Sequence, residues 1–317
     1  MPLSKAQSVA GKNPPLPKGP PYLCKDLYKW AGLCFWMEPT DRRLIDIHNG
    51  NPAPTPPLEN LEGMLHYWQE HSEWMDSTNP SSPVYHDKQL ELELYLQHWG
   101  KYLHPQSRIL DLGGGVGRFT QHLLKKNCSI ELVDPDLRSL WRTLQLCIPL
   151  SGCIDLHWGT GETLNQLNLS TVDTVIACEV LNYVEDPSLA LHNAIQLLKP
   201  GGMVLLSVEA RWGWAFSKDV AEGSIEAFLK EGIVHIPHDR WIRTYTKPAL
   251  HELLTDLDII EIVPSHYALS GPFEMAAGTQ NFEDALLLEE RLRQHPMAQN
   301  LNRAWMVVAQ KPTTSYF

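Results

Sequence analysis

Short apolar runs alternate with amphipathic segments from Arg108 onwards. The first five apolar runs are "RILDL", "SIELVD", "CIDLHWG", "VDTVIAC" and "GMVLLSVEA", at 108–112, 129–134, 153–159, 172–178 and 202–210. The amphipathic segments between them predict helices over 117–126, 136–147 and 187–198, with a shorter helix near 162–168. Strands and helices that alternate in this way predict a parallel sheet covered by helices on both faces.

The same pattern continues after residue 246. "KPALHELLTDL" predicts a helix, "DIIEIVPSHYAL" a strand, 281–294 a helix and "RAWMVVAQK" a last strand. The sheet is therefore expected to contain seven strands, within one α/β domain over 105–317 that carries insertions at 211–246 and 270–300.

The chain before this domain has a different composition. Residues 1–21 are rich in Pro, Gly and Lys and are expected to be disordered. Residues 22–104 are rich in aromatic side chains, with helical patterns around 59–76 and 86–100. We expect this part to form a helical extension that packs on the domain as a lid.

Charge and cysteine content narrow the function classes. The net charge of −11 disfavours nucleic acid as a partner, because an acidic surface repels phosphate. The six cysteines include no C-x-x-C pair, so no structural zinc site is predicted. No metal ligands are assigned, and the sequence leaves open whether His235, His238 and Asp239 of "HIPHD" (235–239) bind a metal. The N-terminal stretch lacks the apolar region of a secretory signal, and no apolar run is long enough to span a membrane. A cytoplasmic protein with reduced thiols and no membrane partner is expected.

The turn after the first strand, "LGGGVGRF", places four glycines in five positions, with Asp111 two residues before the first of them. Ligands of a parallel sheet bind beyond the carboxyl ends of its strands, which is where this turn lies. A dinucleotide site needs G-x-G-x-x-G/A, but Arg118 occupies the third glycine position and Asp111 would repel a pyrophosphate. A cationic ligand without phosphate, such as S-adenosylmethionine (SAM), makes that carboxylate a favourable neighbour.

Five sequence blocks in order resemble class I SAM-dependent methyltransferases, and more loosely those of the ubiquinone-biosynthesis small-molecule type. The blocks are "ILDLGGGVG", "IELVDPD", "HWGTGETL", "DTVIACEVLNYVEDP" and "LLKPGGMVLLSVEA", which together cover about 105–210. The resemblance implies a Rossmann-like, seven-stranded, mostly parallel sheet between helices, with a cap inserted after the fifth strand. It also implies SAM as the cofactor.

The resemblance implies a set of cofactor-binding residues at the ends of the first four strands. They are Asp111, Gly113, Gly114, Gly115, Gly117, Asp134, Pro135, Thr160, Gly161, Glu162, Cys178 and Glu179. Asp134 matches the acid that holds the ribose hydroxyls, although it is also suited to cap a helix with Pro135 at its first position. Thr160 replaces the usual Asp beside the adenine, which leaves the Gly161 amide as a contact. Packing is the favoured role of Cys178.

Candidate catalytic residues lie in the fourth strand's block and beyond the fifth strand. Many relatives have Glu-His where this chain has Asn182 and Tyr183, so the expected imidazole base is absent and Tyr183 is either a pocket wall or a packing residue. Glu209 ends the fifth strand and is either a substrate contact or an ordinary surface carboxylate. His235 and His238, in the segment 211–245, are the candidate proton acceptors, because histidine titrates near neutrality.

The predicted function is transfer of the methyl group of SAM to a small-molecule acceptor, with oxygen slightly favoured over nitrogen or carbon. One alternative is a protein or RNA methyltransferase. Another is a protein that binds SAM without transferring its methyl group, as a sensor, a scaffold or a rearrangement catalyst. The sequence does not predict the identity of the acceptor, the use of a general base or the oligomeric state.

Overall fold

The computed structural model describes residues 29–30, 33–37, 44–46, 77–82, 85–147, 150, 152–215, 217, 219–220, 224–235, 241–268 and 282–313. The N-terminal strands β1 (Lys29–Trp30), β2 (Leu33–Met37) and β3 (Leu44–Asp46) form a separate antiparallel sheet. The structure thus places strands in a region where helices were predicted. The helical pattern at 59–76 and the segment 1–21 lie outside the described residues.

The main sheet has seven strands in the order β11-β12-β8-β7-β4-β5-β6. Its strands are β4 (Arg108–Leu112), β5 (Ser129–Asp134), β6 (Cys153–Trp158), β7 (Val172–Cys178), β8 (Leu198–Glu209), β11 (Asp258–Ser265) and β12 (Ala304–Gln310). The ladders from β6 to β8 are parallel, and β12 pairs antiparallel with both β8 and β11. Hence β11 runs in the same direction as β8, and its carboxyl end lies at the same edge as those of β4 to β8.

Helices cover both faces of this sheet. They are α1 (Tyr85–Trp99), α2 (Arg118–Leu124), α3 (Leu137–Cys147), α4 (Pro187–Leu197), α5 (Ile225–Glu231), α6 (Lys247–Leu253) and α7 (Phe282–Gln294). The short helix predicted near 162–168 is a 3₁₀ turn over Gly161–Gln166. The inserted segment 211–246 contains α5 and a hairpin of β9 (Ile233–His235) and β10 (Trp241–Arg243). We call this segment the cap.

Two apolar clusters fill the space between the sheet and its helices. Successive side chains of a strand point to opposite faces, so Ile109 packs in one cluster and Leu110 in the other, both fully buried. On the first face, α1 contributes Tyr95 and Trp99, whose rings stack with their centroids 4.6 Å apart. Because α1 is part of this core, the segment before the sheet is anchored at the edge where β7 and β11 end.

The order in which strands are added to the sheet changes side at β4. From β4 the chain builds outward through β5 to β6, and it then returns to the other side of β4 with β7. Such a switch point opens a crevice beyond the carboxyl ends of the two strands, which is the usual ligand position in this architecture. No helix among the described residues is long and apolar enough to cross a membrane.

Candidate active site

A cavity of about 240 Å³ lies at this switch point. Its walls come from the carboxyl ends of β4, β5, β6 and β7, and Ser77 and Lys88 line it on the side of the N-terminal region. Most of the predicted cofactor residues line it: Gly113, Gly114, Gly115, Asp134, Pro135, Thr160, Gly161, Cys178 and Glu179. The structure therefore brings together predicted cofactor residues that are up to 66 positions apart in the sequence, from Gly113 to Glu179.

The glycine turn is shaped both by packing and by the space in front of it. Gly113 has φ +63°, and a Cβ there would lie 2.4 Å from a methyl carbon of Val180. Gly115 has φ +54°, and a Cβ there would meet nothing within 4 Å, so bare backbone faces open space in the cavity. A left-handed backbone with no side chain is what lets a ligand approach the main chain closely. The turn fits a cofactor that lies against its backbone.

Asp134 is held in place by this turn. Its Oδ2 accepts a hydrogen bond from the Gly115 N–H at 2.8 Å, and its Oδ1 accepts one from the Asp136 N–H at 2.8 Å. Burial, followed by the charge of Asp136, raises the pKa of Asp134 to about 7. A carboxylate has about four acceptor positions, so Asp134 keeps capacity for the hydroxyls of a ribose. These residues fit the adenosine part of SAM.

Capping of the next helix belongs to a different residue. The structure begins α3 at Leu137, and Asp136 caps it by accepting from the Ser139 N–H at 3.0 Å and the Ser139 hydroxyl at 2.7 Å. The alternative role of Asp134 as an N-cap with Pro135 at the first helical position is therefore wrong. Instead, Asp134 and Pro135 both line the cavity.

Three predicted cofactor residues lie behind the cavity wall. Asp111 is buried and accepts from the Thr120 hydroxyl at 2.5 Å, and burial raises its pKa to about 6. Gly117 precedes α2 and packs against Thr143. Glu162 accepts from the backbone N–H groups of Glu185 and Asp186, at 2.9 and 3.3 Å. Their contacts brace the loops that carry the lining residues.

At the β7 end the cavity is lined by side chains. Cys178, Glu179 and Tyr183 follow the strand, and Lys88 and Arg118 reach the same end from α1 and α2. Burial raises the pKa of the Cys178 thiol to about 12, so the thiol stays protonated at neutral pH. Glu179 has φ +59°, an uncommon conformation for a residue other than glycine.

A buried cluster of charged groups surrounds this end, and sequence reasoning missed most of it. We call it the charge cluster: Lys88, Glu91, Arg118, Glu179 and His266. Glu91 accepts from the Lys88 ammonium at 2.9 Å and from the Arg118 guanidinium, and its Oε1 lies 2.9 Å from His266 Nε2. The one signal in the sequence was the presence of Arg118 where a dinucleotide site has glycine. The pairing of Glu91 with His266, 175 positions apart, carries no local signal.

The charge cluster also contains three potential metal ligands. One ligand atom each from Glu91, Glu179 and His266 lies within 4.8 Å of the other two. However, the Lys88 ammonium and the Arg118 guanidinium already occupy Glu91, and Lys88 also lies 3.4 Å from Glu179. Two fixed cations beside these carboxylates compete with a metal ion, so side-chain ion pairing is the better account of the cluster.

Two other predicted catalytic residues, Glu209 and His235, do not line the cavity. Glu209 Oε2 accepts from Trp214 Nε1 at 2.8 Å and from Arg303 Nε at 3.0 Å, which ties the start of the cap to β12. His235 is exposed on β9. His238 lies outside the described residues, as do the neighbouring positions of "HIPHD" up to residue 240.

Comparisons with known proteins agree with this geometry. A family model described as "Methyltransferase domain" matches residues 85–258, which is more than half of the chain. A ubiquinone biosynthesis O-methyltransferase from Xanthomonas axonopodis pv. citri is 27% identical over 180 residues, covering 56% of this chain and 70% of the relative. The residues that the family model matches include strands β4 to β8 and the glycine turn after β4.

Solved structures show the same fold. A SAM-dependent methyltransferase from Methanosarcina mazei superposes with a TM-score of 0.50 at 18% identity, over 68% of this chain and 97% of the other. The plantazolicin methyltransferase BamL, solved with S-adenosylhomocysteine, also has a TM-score of 0.50, at 14% identity, over 80% and 95% of the two chains. The chain belongs to the methyltransferase-domain family and is a class I SAM-dependent methyltransferase.

Proposed function

We propose that the protein transfers the methyl group of SAM to an oxygen of a small-molecule acceptor and releases S-adenosylhomocysteine. The observation that carries this proposal is the concave cavity of about 240 Å³ at the β4–β7 switch point, which Ser77 and Lys88 line on the side of the N-terminal region. A concave site suits a small molecule better than a segment of a macromolecule. Oxygen is favoured because the matched curated relative is named as an O-methyltransferase.

The chain's own residues bind and align the reactants in this proposal. SAM supplies an electrophilic methyl group on a sulfonium. Asp134 and the turn at Gly113–Gly115 hold its adenosine part, which leaves the reactive end toward Cys178, Glu179 and Tyr183. Holding two reactants in line can contribute roughly 7–11 kcal/mol to lowering the barrier.

The protein or RNA methyltransferase remains the rival. The net charge of −11 argues against RNA, because binding to a phosphate backbone depends on released counterions and basic side chains. Label that enters protein, rather than a small molecule, would identify a protein substrate.

The test uses the full chain with SAM labelled in its methyl group. We expect label to pass to a member of a panel of phenols, aliphatic alcohols, amines and thiols, with S-adenosylhomocysteine formed in equal amount. Mass spectrometry then locates the methyl group on the product. Label that enters only RNA or protein in a cell extract, and no small molecule, would contradict the proposal.

A further inference from the structure

We propose that Glu179 accepts the proton of the acceptor hydroxyl during methyl transfer, and that the acceptor is therefore a phenol-type hydroxyl. This inference rests on the proposed transfer to oxygen. It differs from the sequence-based expectations, which placed the proton acceptor in the cap and gave Glu179 to the cofactor.

The position of Glu179 is the first argument. It follows β7 at the cavity, its side chain is 22% exposed, and Lys88 and Arg118 line the cavity beside it. The turn at Gly113–Gly115 follows β4, and Asp134 ends β5 on the far side of β4 from Glu179. Glu179 therefore stands on the side of β8 and β11, where an acceptor can approach the reactive end of the cofactor.

The backbone of Glu179 is fixed in an unusual conformation. Its φ of +59° disfavours a residue with a side chain, and the N–H donates to Ser207 O at 3.0 Å, with Ser207 Oγ at 3.1 Å. Strained backbone held by its surroundings is common at functional sites. In this conformation the Glu179 carboxylate lies at the edge of the cavity. Glycine would adopt the same backbone conformation without strain, so a glutamate at this position indicates a role for its carboxylate.

Glu91 and Glu179 are neighbouring carboxylates with opposite environments. Burial opposes ionisation of Glu91, but the charges of Lys88 and Arg118 outweigh it and hold the pKa of Glu91 well below its usual value. Burial raises the pKa of Glu179, and the charge of Glu91 adds to the effect. Two titratable groups whose pKa values are pushed apart in this way indicate one fixed charge and one group that exchanges a proton.

Several groups from five elements set the proton affinity of Glu179. They are Lys88, Glu91 and Tyr95 of α1, Arg118 of α2, Cys178 of β7, Glu209 of β8 and His266 after β11. The Tyr95 hydroxyl donates to Glu179 Oε1 at 3.3 Å, and His266 Nε2 lies 4.0 Å from the same oxygen. These contacts are longer than those of Glu91, so the Glu179 carboxylate is held less tightly by its neighbours than the Glu91 carboxylate.

Other acceptors of a proton are excluded by position. Among the described residues that line the cavity, the carboxylates are Asp134, Asp136 and Glu179. Asp134 is bonded to the glycine turn and Asp136 caps α3. Described histidines do not line the cavity, which leaves Glu179 at the β7 end.

The reaction step balances with Glu179 as the only added group. The acceptor O–H bond breaks and its proton passes to the Glu179 carboxylate, while the oxygen forms a bond to the methyl carbon. The carbon–sulfur bond breaks and the sulfur keeps the electron pair. A carboxylate can take the proton of a phenol, whose pKa is about 10, but is far too weak a base for an aliphatic alcohol. This difference is the reason for assigning a phenol.

The experiment compares wild type, Glu179→Gln and Glu131→Gln with a panel of phenols that includes catechol and the much more acidic 4-nitrocatechol. Glu131 is a matched control, because it is buried and paired with Arg108 and His157 but does not line the cavity. For Glu179→Gln we expect kcat on catechol to fall about 10²–10⁴-fold, the usual contribution of acid–base catalysis. On ionised 4-nitrocatechol we expect less than a tenfold loss, and S-adenosylhomocysteine should bind within threefold of wild type.

A second variant and a pH profile keep the test decisive if Glu179→Gln fails to fold. Glu179→Asp should keep a reduced rate on catechol with an acid limb in its pH profile, while the wild-type profile with 4-nitrocatechol should be flatter. Equal losses on both phenols, or weakened S-adenosylhomocysteine binding with unchanged kcat, would overturn the role of Glu179 and leave the proposed O-methylation standing.

Methylation of aliphatic alcohols alone, or no binding or methylation of any phenol, would overturn the phenol assignment. Methylation of amines or thiols alone would overturn the proposed oxygen transfer itself.

Discussion

The two ends of the cavity hold their carboxylates by different means. At the β5 end, neutral backbone N–H groups of Gly115 and Asp136 orient Asp134, and every partner lies within 20 residues of it. At the β7 end, side-chain charges surround Glu179, and they come from helices and strands as distant as α1 and β11. The comparison suggests a fixed binding end and an end whose charge state can change with the reaction.

The largest effect expected on cofactor affinity tests the binding end. Asp134→Ala should weaken S-adenosylhomocysteine binding about 10–100-fold, because hydrogen bonds to a charged group contribute roughly 1.5–3 kcal/mol. The variant also leaves the Gly115 N–H without its acceptor, which loosens the turn. Calorimetry measures the change.

Asp173→Ala is the matched control for Asp134→Ala. Asp173 also accepts from a backbone N–H, that of Arg108 at 2.8 Å, but at the amino end of the sheet. Its removal should leave the affinity unchanged. If Asp134→Ala binds as tightly as wild type, the cofactor does not use this carboxylate and the contrast between the two ends fails.

A smaller effect is expected at the turn itself. Gly115→Ala places a methyl group in the open space of the cavity and forces a left-handed backbone that costs roughly 1–2 kcal/mol. We expect affinity for S-adenosylhomocysteine to fall about tenfold, as measured by calorimetry. Gly201→Ala has a similar φ, +75°, outside the cavity lining, and its Cβ would lie 3.2 Å from a methyl carbon of Thr313, so it reports backbone strain and side-chain crowding away from the cavity. Equal affinities of the two variants would show that the turn does not face the cofactor.

The binding end is also the part that the sequence predicted well. Strands over 108–112, 129–134 and 172–178 have the predicted bounds, because each is a continuous buried run bordered by turn residues. The glycine turn follows β4 directly, and Asp134 is the last residue of β5. Placing the strands in a parallel sheet is then enough to bring their ends to one edge.

The reactive end could not be predicted in the same way. Lys88 and Glu91 belong to a helix whose charged positions look like a solvated face, and His266 looks like any polar residue near the end of a strand. Only the tertiary packing of α1 against β7 and β11 makes them neighbours. The predicted strand at 202–210 also begins earlier, at Leu198, because Leu198 pairs with Val172 of β7. The ladder is then irregular over "KPGG", which alone reads as a turn, and pairing resumes at Met203.

The pH dependence of binding should separate the two ends further. Because burial raises the pKa of Asp134 to about 7, the free protein binds a proton as the pH falls through that value. The carboxylate that a ribose requires is then lost, so affinity should fall about tenfold from pH 8 to pH 6, since only about a tenth of a group with pKa 7 is ionised at pH 6. Calorimetry at several pH values in matched buffers measures it.

Asp134→Asn provides the control for this pH dependence. The variant has no proton to gain there, so its weaker binding should vary little between pH 6 and 8. The effect of pH on the stability of the free protein has the opposite sign to its effect on cofactor affinity. The folded protein keeps a proton that the unfolded chain loses near pH 3.8, so the contribution of Asp134 to stability without ligand should decline as the pH rises from about 4 to about 7. A wild-type affinity that rises on acidification would contradict the assignment of Asp134.

The smallest effect is expected in the cap. His235 is exposed on β9 and does not line the cavity, whereas Glu179 does. If the proton leaves through Glu179, His235→Ala should keep turnover within about twofold of wild type and leave S-adenosylhomocysteine affinity unchanged. Steady-state rates on the acceptor found by the methyl-transfer assay provide the measurement, with Glu179→Gln assayed beside it. A loss of more than tenfold in turnover at unchanged cofactor affinity would mean that the cap closes on the acceptor and supplies the proton acceptor from β9. The reactive end would then be built from the cap rather than from the charge cluster.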